Sequence, residues 1–112
     1  MIKRYTVETG GIRETSYGWE ACAYDGERAF DDYREAMEYF AECREGLRDA
    51  FRVEWNSWNS PRMMRGRGYF AEITVDEYET AEDSEDGYPS DTEALDYAQY
   101  TYEDWQEEKE AE

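Results

Sequence analysis

The chain has 112 residues and a formal charge of −18, from 30 acidic and 12 basic side chains. That length suits one domain of the common size of roughly 100–150 residues, and a charge of that sign repels phosphate, which excludes nucleic-acid binding through a basic groove. Histidine is absent, which removes Ser-His-Asp and Cys-His catalysis, His-liganded metal sites and the commonest pH switch.

Four Trp and eleven Tyr can build a core, whereas disordered acidic chains are poor in aromatics. Cys22 and Cys43 are too few for a disulfide scaffold or a four-cysteine zinc site and read as reduced thiols. Met1 to Tyr5 run straight into a strand-like pattern, so no signal peptide is expected. No apolar run approaches the ~20 residues that cross a bilayer. These features predict a soluble cytoplasmic protein with no membrane contact, in the host-cell cytoplasm if the chain is viral.

Tyr5, Val7 and Thr9 alternate with polar neighbours, which predicts a strand ending at Gly10-Gly11. Trp19, Ala21 and Ala23 predict a second strand. Asp25-Gly26 is a hairpin-turn signal, with Arg28–Phe30 as a short returning strand. Asp32 and Glu35 form a capping pair. Ala36, Tyr39, Phe40, Cys43 and Leu47 then follow at helical spacing, which predicts a helix over 32–48 with Cys43 as a small apolar residue on its inner face.

Residues 49–58 fit two periods. Phe51, Val53 and Trp55 alternate like a strand, while Ala50, Phe51, Trp55 and Trp58 continue the helix. From 56 to 68, Pro61, Gly66 and Gly68 predict a loop carrying Arg62, Arg65 and Arg67, read as an exposed hairpin loop lying near the protein's own carboxylates. Ala71, Ile73 and Val75 predict a strand over 69–80 paired with the N-terminal meander. Residues 80–89 read as an acidic loop. Ser90 with Glu93 is a second capping-box pattern, and Leu95, Ala98, Tyr102 and Trp105 form a stripe that predicts a helix over about 91–108. The expected fold is α+β: a small antiparallel sheet of three to five strands, a central helix and an acidic C-terminal helix, in one domain over 1–112.

Charge is segregated. Residues 1–67 hold 13 acids and 11 bases, whereas 68–112 hold 17 acids and the single base Lys109. Glu82, Ser84, Asp86, Ser90 and Glu93 can be laid on a calcium loop, but Pro89 falls inside it and Glu replaces Asp at the first ligand. Among 30 acids some pair always fits a glycosidase spacing, and there is no phosphate loop or nucleophile elbow. No cofactor, metal or enzyme activity is expected. The candidate site is instead a partner-binding anionic surface of Asp76, Glu77, Glu79, Glu82, Asp83, Glu85, Asp86, Asp91, Glu93, Asp96, Tyr100, Glu103, Asp104, Glu107 and Glu108. Duplex DNA carries one charge per roughly 1.7 Å, so sixteen net charges match ~27 Å of duplex, the length of an 18-residue helix at ~1.5 Å per residue. The interleaved Tyr78, Tyr88, Tyr97, Tyr100, Tyr102 and Trp105 are of the types enriched at interface hot spots.

In size, charge pattern and mixed α and β character the chain resembles the DNA-mimic proteins that phages direct against host defence, of the anti-CRISPR and anti-restriction kind. That resemblance implies an inhibitor that blocks the basic DNA-binding surface of a CRISPR effector or restriction enzyme, acting as a monomer or homodimer. Two alternatives remain: an acidic module for another basic partner, and a salt-adapted domain, suggested by ten Arg to two Lys, whose charge has no specific partner.

Overall fold

The computed structural model describes residues 1–111. Strands β1 (Ile2–Thr15) and β2 (Gly18–Phe30) form one long antiparallel hairpin. Its turn is Ser16-Tyr17, with Gly18 at φ 113°, a conformation that favours glycine. The glycine pairs expected to break the strands lie inside them. β2 carries two extra residues, Asp25 and Cys22, where the register slips opposite Thr9/Gly10 and Gly11/Ile12. Asp25-Gly26 is therefore part of a bulge, and Arg28–Phe30 is the end of β2 rather than a third strand. A Cβ on Gly10 would collide with the Ala23 carbonyl, so the bulged strand can approach this closely only against glycine.

Helix α1 (Tyr33–Trp58) resolves the ambiguity at 49–58 in favour of helix. Asp32 caps it by accepting the Glu35 N–H at 3.2 Å. Phe51 is fully buried and Val53 is 66% exposed, which a strand with both on one face would not allow. Gly46 has open space around it and costs only helix propensity. Asn59 ends the helix in the left-handed region, at φ 46°.

The stretch 56–68 is a helix-to-strand connection, not a hairpin loop. It contains the one-turn α2 (Pro61–Met64), which inserts Met64 into the core. β3 (Arg67–Tyr78) pairs with β1 as expected, from Ile2↔Tyr78 to Arg13↔Arg67. The acidic loop holds a short helix α3 (Ala81–Asp86), capped by Thr80 Oγ1 on the Asp83 N–H at 3.1 Å.

The expected helix over 91–108 is mostly strand: β4 (Asp91–Thr101) pairs with β3, and only α4 (Tyr102–Ala111) is helical. Residues 91–101 contain helix formers but also Thr92, Tyr97, Tyr100 and Thr101, which suit a pleated surface. β3 offers a full edge of unpaired backbone N–H and C=O groups, and that edge outweighs local spacing. The stripe Leu95–Ala98–Tyr102–Trp105 therefore does not exist. Ser90 donates its hydroxyl to the Glu77 carbonyl at 3.0 Å instead of capping a helix. The working box is Thr101/Asp104: the Asp104 carboxylate accepts the Thr101 N–H at 2.8 Å, and Thr101 Oγ1 accepts the Asp104 N–H at 3.4 Å.

The four strands lie in the order β2-β1-β3-β4, all antiparallel. α1 covers one face, burying Val7, Ala71 and Ile73 against Ala36, Phe40 and Leu47. Cys43 is half-buried beside this cluster, and burial pushes its thiol pKa up, which favours the protonated thiol over the thiolate. At the far end of α1, Phe51, Met64 and Tyr102 form a second cluster with Trp55 and Trp105 around it.

Candidate functional site

β3 and β4 split the predicted acidic surface into two groups. Asp76 and Glu77 lie at the end of β3 and Glu79 just beyond it. Glu82, Asp83, Glu85 and Asp86 lie on α3, and Asp91 and Glu93 begin β4. The register Glu77↔Asp91 gathers these nine at one end of the sheet. Glu103, Asp104, Glu107 and Glu108 lie on α4, beyond the opposite register pair Gly68↔Thr101. Nine residue steps of β3 separate the ends, about 30 Å at ~3.3 Å per residue. Asp96 stands between them on the edge strand β4.

Several of these side chains serve the fold. Glu77 pairs with Lys3 at 3.6 Å. Asp76 accepts from Thr92 Oγ1 at 2.7 Å. Asp91 and Asp96 accept the N–H of the next residue. Glu108 takes Arg48 at 2.8 Å and the Tyr100 hydroxyl at 2.8 Å. Tyr100 is half-buried, 5.6 Å from the Phe51 ring, and burial, with the Glu108 carboxylate held by its O–H, pushes its pKa up to about 12. It is a packing residue rather than a free anchor. The side chains of Glu79, Glu82, Asp83, Glu85, Asp86, Glu93, Glu103 and Glu107 make no hydrogen bond or ion pair among the described residues. Arg62, Arg65 and Arg67 likewise form no ion pair there, although Arg67 does lie near the protein's own carboxylates, lining one pocket with Asp25 and Glu54.

Residues 68–111 carry 16 acids and one base, and the molecule measures 51 × 29 × 21 Å. The 18-residue helix over 91–108 expected to share this charge with the 76–86 loop is not present, since 91–101 is strand. The calcium-loop alignment also fails, because its first ligand positions lie on helix α3, and no group of three metal-binding side chains gathers among the described residues. No helix there is long and apolar enough to cross a membrane.

The sequence reading missed a second surface, the sheet face opposite α1. Three glutamates stand directly across neighbouring strands, in the register Glu27↔Glu8↔Glu72. Burial first, then the charges of Glu27 and Glu72, raise the Glu8 pKa above its ordinary value. Beside them Phe70 lies over Gly10, stacked on Tyr97 (6.1 Å, 14°) and edge-on to Tyr24 (6.0 Å). Strand alternation was the available signal, but the bulge at Asp25 shifts Tyr24 onto this face, and such a shift is hidden in the sequence. Searches of protein-family models, curated proteins and solved structures returned no match.

Proposed function

We propose that the protein inhibits a nucleic-acid-binding host-defence complex, a CRISPR effector or a restriction enzyme, by presenting DNA-like charge to its DNA-binding surface. The observation that carries this reading is the set of eight carboxylates from Glu79 to Glu107 that the fold leaves unpaired. Each desolvates little in the free protein and is available to a Lys or Arg of the target, and release of counterions from both surfaces favours the complex. The separation of the acidic groups by about 30 Å, nine strand steps, suits two contact points on one partner.

The same separation also favours the alternative, an acidic module for a basic partner that does not bind DNA. A competition experiment divides the two. Purified CRISPR effectors and restriction enzymes are titrated with the protein in the presence of labelled target DNA. Displacement of the DNA, weakening steeply between 50 and 500 mM salt, is the expected result. Simultaneous binding of protein and DNA at undiminished affinity by every complex that binds the protein would overturn charge mimicry.

A further inference from the structure

We propose that the uncovered sheet face is a second docking site, which receives an arginine side chain from an exposed segment of a partner protein. It does not rest on charge mimicry by the 76–108 region. The face holds a cleft of about 400 Å³ lined by Ile12, Trp19, Tyr24, Phe70 and Tyr97, with Glu8 and Glu72 on its wall. Ile12 and Phe70 are 2% and 4% exposed, while Tyr24 and Tyr97 are 70% and 45% exposed. The floor is thus made and the rim is left open to solvent.

Charge complementarity chooses the occupant. Glu27, Glu8 and Glu72 face one another across adjacent strands, a placement that destabilises a sheet when nothing neutralises it. None of the three takes part in an ion pair among the described residues. A guanidinium answers both halves of the site. Its planar fork matches a carboxylate pair in two parallel hydrogen bonds, and its face stacks on Tyr or Phe rings. A lysine would supply the charge without the fork or the stacking. Nucleic acid is repelled by the glutamates. A second copy would set one carboxylate row against another, on molecules of charge −18 each.

The test uses the intact protein, isotope-labelled, with a capped peptide carrying two adjacent arginines as probe. Nuclear magnetic resonance should show saturable shifts of the Trp19 indole N–H and of the Glu8, Phe70 and Glu72 amides. The paired variant Glu8→Gln/Glu72→Gln should bind about tenfold more weakly, and the lysine counterpart peptide severalfold more weakly than the arginine one. Tyr97→Ala should weaken binding with all carboxylates in place. The glutamine variant removes repulsion, so it should fold, and a melting curve verifies that. Glu38→Gln/Glu42→Gln on α1 should leave binding unchanged. Shifts confined to α3 and α4, or an affinity indifferent to Glu8→Gln/Glu72→Gln, would overturn the proposal. So would a dimer in sedimentation that depends on Tyr97, because this face would then be occupied by a second copy.

Discussion

Neutralising the α3 carboxylates separates the binding surface from the fold. In the variant Glu82→Gln, Asp83→Asn, Glu85→Gln, Asp86→Asn, two effects on stability oppose each other. Glu82 and Asp83 lie in the first turn of α3, where the helix dipole favours an anion by roughly 0.3–1 kcal/mol each at an exposed site. Glu85 and Asp86 end the same helix, where that field disfavours them. The Thr80 cap on the Asp83 N–H at 3.1 Å is untouched. Stability should therefore stay within about 0.5 kcal/mol, the usual range for exposed changes. Binding loses four contacts of about 1 kcal/mol each, the attraction of unit charges ~4 Å apart in water. Their sum, about 4 kcal/mol, is roughly a thousandfold. The assay is displacement of labelled DNA from the inhibited complex, with a thermal melt on the same preparations. Glu103→Gln/Glu107→Gln, two contacts, should cost roughly thirtyfold on the same scale. Glu35→Gln/Glu38→Gln/Glu42→Gln on α1 should change potency less than about twofold, as those residues lie in the nearly neutral part of the chain. Unchanged potency of the α3 variant, with its melt intact, would remove this end of the sheet from the binding surface.

Three further outcomes follow from the packing. Because Glu8 has a raised pKa, the folded protein holds that proton more tightly than the unfolded chain, and stability falls as pH rises through the folded value. Glu8→Gln should then melt about 1–4 °C higher at pH 7, for a cross-strand repulsion of ~0.2–1 kcal/mol, and lose that advantage near pH 3; an advantage retained at pH 3 would show that charge is not its cause. Phe51→Ala should cost about 3–5 kcal/mol, since Phe51 is fully buried and meets Tyr100 and Trp105 at 5.6 and 5.7 Å; denaturant unfolding followed by Trp fluorescence measures it. Asp104→Ala should cost about 1 kcal/mol through loss of the reciprocal cap on α4, read as reduced helicity by circular dichroism, whereas Glu103→Ala should not.

Much of the architecture is written locally. Asp32 and the apolar spacing from Ala36 to Leu47 specify the start and inner face of α1, and Ala71, Ile73 and Val75 specify β3, because one repeating period holds in each. The concentration of acids after residue 67 is likewise a property of the chain alone. What tertiary structure decided lies where two periods compete. Phe51 and Trp55 satisfy both helix and strand, and burial of Phe51 against Tyr100 selects helix. Leu95 and Ala98 suggest a helix, yet the bare edge of β3 draws residues 91–101 into a fourth strand, since unpaired backbone groups cost more than local propensity returns. That choice divides the acids into two ends, assigns Tyr100, Asp104 and Glu108 to structural contacts, and leaves eight other carboxylates free. The regular β1–β3 ladder sets Glu8 against Glu72, while the bulges of β2 bring Glu27 opposite Glu8 and Tyr24 onto the same face as Phe70. No local pattern encodes that meeting, because a one-residue slip in register turns every side chain beyond it to the other face.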